Sequence, residues 1–188
     1  MSGGQNLERC VQMLQDAMNR HDIDAILQMF TDDALFEIDA RPPRLGHAQI
    51  REILEYDAAV HGKLRFINCI SEGDIVTGEL LEQNDRLAAI GIETLRYSSC
   101  RLAFHEGRIQ RFSAVREAAG AQRSRDAWTP FLPWLAVHYP ADRVRLFTPE
   151  GRFIQNRENG ARVVLLLREW REGQREERGA QHKAGDDG

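Results

Sequence analysis

The chain predicts an α+β fold, with helices first and a meander of strands after them. Three observations carry that expectation. Apolar residues recur mostly at helical spacing up to position 61. They alternate at strand period from 64 to 117. Short turn signals separate those later segments, and such segregated runs argue against a parallel α/β fold.

Each element follows from its own pattern. Leu7, Val11, Leu14 and Met18 lie three and four apart, one stripe of an amphipathic helix over 7–19. Asp22 is placed to cap a second helix that buries Ala25, Ile26, Met29 and Phe30, and Asp32 and Asp33 would end it. Residues 34–39 then alternate, with Phe36 and Ile38 on one face. Pro42, Pro43 and Gly46 break the chain. Helical spacing resumes over 47–61 through Ile50, Ile53, Leu54 and Ala58. Strands are expected near 64–72, 74–83, 88–105 and 108–117. Gly73-Asp74, Asn84-Asp85 and Glu106-Gly107 would turn them.

Composition changes after Glu117. The stretch AAGAQRSRD is small and polar and reads as a linker. WTPFLPWLAV, from Trp128, carries two prolines that keep any helix short or kinked. Thr148-Pro149-Glu150-Gly151 reads as a tight turn. A last helix over about 161–177 presents Val163, Val164, Leu166, Leu167 and Trp170. The expected organisation is a domain over 1–117, a helical extension over 118–178 packed on it or on a partner subunit, and a disordered tail over 179–188.

At 188 residues the chain fits one domain plus an extension. That size buries roughly two thirds of the unfolded surface, so no metal or disulfide staple is required. The net charge of −4 argues against a nucleic-acid partner, because phosphate binding needs a concentrated basic surface. The arginines instead mix with glutamates, as in REWREGQREER over 168–178. Cys10, Cys69 and Cys100 are odd in number and far apart, which suits a reducing compartment. No CxxC, HxxxH or HExxH spacing predicts a metal site, and no cofactor is expected. The longest apolar run, 163–167, is far shorter than the ~20 residues that span a bilayer. No apolar leader opens the chain, and the expected location is cytoplasmic.

Three stretches carry a family resemblance. HDIDAILQMFTDDALFEI, from His21, is similar to the second helix and first strand of ketosteroid isomerases. RPPRLGHAQIRE, from Arg41, resembles their next turn and third helix. LAFHEGRIQRF, from Leu102, resembles the hairpin of their last two strands. Over roughly its first 117 residues the chain thus resembles the SnoaL-like or NTF2-like superfamily. The resemblance implies a cone: a curved antiparallel sheet wrapped by N-terminal helices around an apolar pocket. It also implies a homodimer, with Leu95, Tyr97 and Ala103 as one candidate contact face. Such folds host isomerases, cyclases, dehydratases, epoxide hydrolases and non-catalytic modules, so fold alone does not decide function.

The implied isomerase residues are missing. A helix tyrosine, a late-strand acid and a first-strand aspartate would fall on Leu14, Cys100 and Ile38. Asp39 is one residue late, so alternation points it to the other face unless a bulge intervenes. The epoxide-hydrolase pattern fares no better: the resemblance puts Glu79 and Glu82 at comparable acidic places in the third strand, but Leu80 and Leu81 stand where its arginine would be and the second carboxylate would fall near Ala114.

Taking the Phe36 and Ile38 face as inward gives a ligand pocket. Its walls would be Leu14, Met18, Phe36, Ile38, Phe66, Asn68, Leu81, Ser98, Cys100, Leu102, Phe112, Ala114 and Arg116. Glu79 is the candidate catalytic acid or base, with Asn68 or Ser98 as a polarising donor. The alternative places Glu79 at the rim or in an ion pair on the outer face. Arg96 and Arg116 would lie opposite each other and could clamp a carboxylate, or stand as a solvated pair. Cys100 reads as a small buried residue more than a nucleophile. Trp128, Phe131 and Trp134 would form a lid or pack as core. Two functions follow: a cofactor-independent isomerase, cyclase or dehydratase on a hydrophobic, polyketide-like substrate, or a non-catalytic module binding a hydrophobic small molecule or a protein partner.

Overall fold

The structure, a computed structural model, describes residues 3–39 and 41–186, with side chains described for 7–39 and 41–176. Helix α1 (Gly3–Arg20) buries Leu7, Val11, Leu14 and Met18, the stripe the spacing predicts. Asp22 accepts from the Ala25 backbone N–H at 3.2 Å and starts α2 (Ile23–Gln28). Asp32 and Asp33 do not end that helix; they stand exposed in strand β1 (Phe30–Ile38). A two-residue strand β2 (Arg44–Leu45) leads into helix α3 (Gly46–Ala59).

Strands β3 (Lys63–Glu72) and β4 (Ile75–Gln83) form the next hairpin. The expected strand over 88–105 is shorter than its pattern suggests. Asn84 accepts from the Leu87 N–H at 2.8 Å and caps a one-turn helix α4 (Asp85–Ala89), which buries Leu87 and Ile90. Strands β5 (Leu95–His105) and β6 (Arg108–Arg116) complete the sheet. Its order is β2-β1-β6-β5-β4-β3. All pairs are antiparallel except β1 with β6, which run parallel and are separated in the chain by everything from β2 to β5.

One free edge is covered by side chains. Gln15 and Asn19 of α1 accept from the β3 backbone N–H groups of Phe66 and Leu64, at 2.7 and 2.8 Å. The other amide atom of Asn19 donates to the Leu64 carbonyl. That occupation blunts an edge that would otherwise recruit another strand.

Irregularities cross the sheet in a row. Register shifts fall between Ile67 and Ile70 on β3, Gly78 and Leu80 on β4, and Tyr97 and Ser99 on β5. Asn68 sits in the left-handed region at φ 54°. Bulges of this kind bend a strand and reverse which face each later residue takes. Gly78 is needed here, because a Cβ would meet the Ile67 carbonyl at 2.9 Å.

The segment after Glu117 is helical throughout most of its length. The expected linker is helix α5 (Ala118–Trp128), for alanine-rich sequence favours helix and Gly120 docks against Leu95. Helix α6 (Phe131–His138) tolerates Pro133 in its first turn, where backbone N–H groups have no helical partner. Helix α7 (Pro140–Leu146) and a turn closed by the Gly151 N–H to the Thr148 carbonyl follow. Helix α8 (Arg157–Asp186) lays Val163, Leu166, Leu167 and Trp170 into the core that also holds Leu14 and Phe112. It runs into the stretch expected to be a tail, whose side chains lie outside the described residues. No helix of the described residues is long and apolar enough to cross a membrane.

Candidate functional site

The expected pocket floor is packed ring on ring. Phe36 stacks on Phe112 at 4.6 Å, and Phe66 meets Phe112 edge-on at 6.4 Å. Leu14, Met18, Cys100, Leu102 and Ala114 are buried around them, and Ile38 is half-buried. Two clefts of about 400 and 380 Å³ lie elsewhere. The first is bounded by Ile90, Trp170 and Arg171, the second by Asp24, His47 and Arg51, and neither touches those residues.

The polar candidates fall on the other face. The extra residues behind the register shifts lie on β3, at Asn68, and on β5, at Ser98, so parity carried along those two strands fails there, while β4 alternates unbroken and puts Glu79 on the face opposite Val76 and Leu80. Asn68 donates to Glu79 at 3.0 Å, and the Arg96 Nε donates to Glu79 at 2.5 Å. Those bonds hold the Glu79 carboxyl below its usual range, first through Asn68 and then through Arg96. Glu79 is therefore an ion-paired outer-face group, as the alternative reading has it. Leu81 shares that face, while Val76 and Leu80 point inward. Leu95 and Tyr97, expected on an outer contact face, are buried for the same reason.

Arg96 and Arg116 do not oppose each other; Arg116 pairs with Tyr97 across the β5–β6 register. Arg116 instead donates from its Nε to Asp39 at 2.6 Å, and its backbone N–H donates to the same carboxylate at 2.9 Å. Asp39 reaches back because it adopts φ 54°, a conformation aspartate tolerates. Cys100 is no nucleophile, since desolvation pushes its thiol up to about 12.

A different set of polar groups meets inside, at the end of the sheet where β4 and β5 face α3 and α4. Tyr97 donates to Glu82 Oε2 at 2.5 Å, and Asn84 donates to Glu82 Oε1 at 2.5 Å. Arg86, from α4, donates to the Tyr56 hydroxyl and lies 5.6 Å from the Trp128 ring centre. Its Nε is buried and has no hydrogen-bond partner. Asp57 follows Tyr56 on α3, with its carboxylate over Gly62, where a Cβ would lie 2.1 Å from Oδ1. The extension closes this cluster from outside. Phe153 packs on Tyr56 at 5.8 Å, Gly160 abuts the same ring, and Gln155 accepts from Arg41 at 2.9 Å.

Burial sets the protonation of these groups. Desolvation, with the negative charge of Glu82 beside it, pushes the Asp57 carboxyl up to about 7. Desolvation first, then Glu82, raises the Tyr97 hydroxyl well above its ordinary value. Desolvation likewise raises Tyr56, so both phenols stay protonated and can donate. The result is an acid that shares its proton near neutrality, a carboxylate acceptor and two phenolic donors, walled by aromatic rings. Such a set can move a proton and stabilise a developing oxyanion.

Sequence reasoning placed none of Tyr56, Asp57 or Arg86 in the site, and weighed Glu82 only beside Glu79 as an epoxide-hydrolase acid. Two signals were present. Tyr56 and Asp57 interrupt an apolar helix face, and Glu82 shares the parity of Val76 and Leu80. Among the described residues, no three His, Cys, Asp or Glu side chains are grouped to hold a metal ion.

Comparison with known proteins places this geometry. The profile of the SnoaL-like domain matches residues 11–112. No curated protein matches the chain. Among solved structures, the epoxide hydrolase/cyclase-like enzyme SalBIII, with a role in pyran ring formation in the polyether salinomycin, superposes with a TM-score of 0.56 at 19% identity, over 64% of this chain and 97% of its own. A putative polyketide cyclase from Xanthomonas campestris pv. campestris gives 0.52 at 18% identity, over 65% and 99%. A cystatin-like protein of unknown function from Methylobium petroleophilum PM1 gives 0.53 at 14% identity, over 62% and 78%. At these identities the likeness shows the fold: the NTF2-like α+β cone, with a helical C-terminal extension added.

Proposed function

Because the chain belongs to the SnoaL-like domain family, we propose that it handles a hydrophobic small molecule by cofactor-independent acid–base chemistry of the isomerase or cyclase kind. The reacting groups in this reading are Asp57, Glu82 and Tyr97, with Arg86 and Tyr56 beside them. The observation that carries it is the Tyr97–Glu82 hydrogen bond of 2.5 Å beside a carboxyl that titrates at about 7. Paired acids whose environments drive their protonation apart are what proton-transfer enzymes use. Arg86 donates to the oxygen on which charge develops, as does Tyr56, whose hydroxyl accepts from Arg86 and keeps its own proton to give, while the single proton of Tyr97 goes to Glu82. Asp57 delivers or removes the proton at the neighbouring atom, and Glu82 holds Tyr97 in position. The polyketide-cyclase and SalBIII structures support the substrate class by likeness of fold.

Native mass spectrometry of freshly purified protein tests the first half of the reading, through a retained small molecule. Glu82→Gln tests the second. Turnover of that molecule should fall by about a hundredfold or more, with the fold intact by circular dichroism. Glu79→Gln should leave turnover unchanged. Equal turnover in wild type and Glu82→Gln would refute the assignment.

A second reading, a non-catalytic binding or association module, draws on the ring stacking of Phe36 on Phe112 at the expected pocket floor. It predicts ligand retention that survives Glu82→Gln with no chemistry in either protein.

A further inference from the structure

We infer that the molecule taken by this site carries a carboxylate, seated by Arg86 with Arg41 at the rim. The inference rests on the reading above and goes further, since it names the charge of the substrate.

Charge pairing inside the cluster is incomplete. Three guanidinium groups converge there, those of Arg41, Arg86 and Arg116. Asp39 is taken by Arg116 at 2.6 Å. Glu82 has both oxygens occupied, by Asn84 and by Tyr97. Among the described residues Arg86 forms no ion pair, and its buried Nε has no acceptor. Arg41 likewise forms none among them and donates to the neutral amide of Gln155 at 2.9 Å. Desolvation, then the like charges of Arg116 and Arg86, lower Arg41 below its ordinary value, which fits their convergence.

A guanidinium taken out of water needs an anion or a full set of acceptors. Desolvation opposes the Arg86 charge, and Tyr56 and Glu82 outweigh it, so Arg86 stays above its ordinary value; yet among the described residues no carboxylate pairs with it directly and its Nε has no acceptor. An incoming carboxylate supplies both, because its two oxygens match the planar fork of an arginine. The neighbours define what the carboxylate is attached to. Trp128 and Tyr56 flank Arg86, and Phe153 lies on Tyr56, so the body of the ligand meets flat aromatic walls. Trp128 also touches Phe131, Phe147 and Phe153, which ties that wall to the extension. The ligand class is a flat apolar carboxylate. Asp57, which shares its proton near neutrality, lies close enough to Tyr56 and Glu82 to feel both. That places a proton source beside the anion that Arg86 would hold.

The test compares two probes of one shape on the full chain by isothermal titration calorimetry: naphthoate and its neutral amide, naphthamide. Naphthoate should bind at least about tenfold more tightly than naphthamide. Arg86→Gln should remove that preference while naphthamide binding persists. Arg41→Gln changes a residue at the rim, should keep the fold, and should reduce the preference about threefold. If Arg86→Gln does not fold, Arg41→Gln decides. Equal affinity of the two probes for the wild-type protein would overturn the carboxylate inference and leave the small-molecule reading standing. A preference that survives in each folded variant would overturn it too. Failure of both probes to bind would sink the inference and the reading together.

Discussion

Asp57 shows what an interior position does to an ordinary carboxyl. Its ordinary value is 3.8, and burial beside Glu82 raises it to about 7. Between those values the unfolded chain has shed a proton that the folded chain keeps. The stabilising contribution of this group is therefore complete below about pH 4 and is lost as pH rises through 7. Going from about pH 5 to about pH 8 should cost roughly 2 kcal/mol at this site. Asp57→Asn, which cannot ionise, should flatten that part of the profile. Urea unfolding of both proteins at the two pH values measures it, and parallel profiles would rule the assignment out. Glu79, by contrast, shows how a plausible catalytic carboxylate becomes a surface ion pair once Val76 and Leu80 take the inward face of its strand.

At the scale of elements, one turn of helix organises the site. Helix α4 stands where alternation predicted the start of a strand, and it supplies Arg86. Asn84 holds it at both ends of one side chain: it accepts from Leu87 at 2.8 Å and donates to Glu82 at 2.5 Å. Asn84→Ala removes the cap and releases Glu82, at a cost of roughly 1–2 kcal/mol. Chemical denaturation should read that loss as a lower midpoint with an unchanged slope. A stability equal to wild type would show that the cap is dispensable. The row of bulges across β3, β4 and β5 acts at the same scale. It bends the sheet and turns Asn68 and Ser98 outward, to the face that Glu79 reaches by plain alternation along β4.

At the scale of the molecule, the C-terminal helices belong to the same apolar core as the sheet. Phe131, Leu135, Leu146, Val163 and Leu167 share it with Leu14, Leu95 and Phe112. Arg168 bonds Asp85 at 2.7 Å, and the Arg171 Nε donates to the Ala89 carbonyl at 2.9 Å, so α8 pins α4 from outside. Ending the chain after Glu117 would uncover Tyr56, Val60, Leu87 and Leu95, all buried in the full chain. The truncated protein should bind a hydrophobic dye and aggregate on purification, since exposed apolar patches of that size drive association. A monomeric truncation with a sharp thermal transition would show that residues up to 117 fold alone.

Local chemistry written in consecutive residues was legible without coordinates. The α1 stripe, the Asp22 cap, the Phe36 and Ile38 face, the Glu106-Gly107 hairpin and the SnoaL-like resemblance each depend on neighbours a few positions apart, and each is present. The site was not legible, because it depends on count and distance. A single extra residue in β3 or β5 exchanges the two faces of a strand, and no periodicity announces where it falls. The Tyr56, Asp57, Glu82 and Arg86 cluster draws on α3, β4 and α4, under a cover supplied by residues up to about a hundred positions away. Burial at that junction, created only when those segments meet, is what gives Asp57 its proton and leaves the Arg86 Nε without an acceptor.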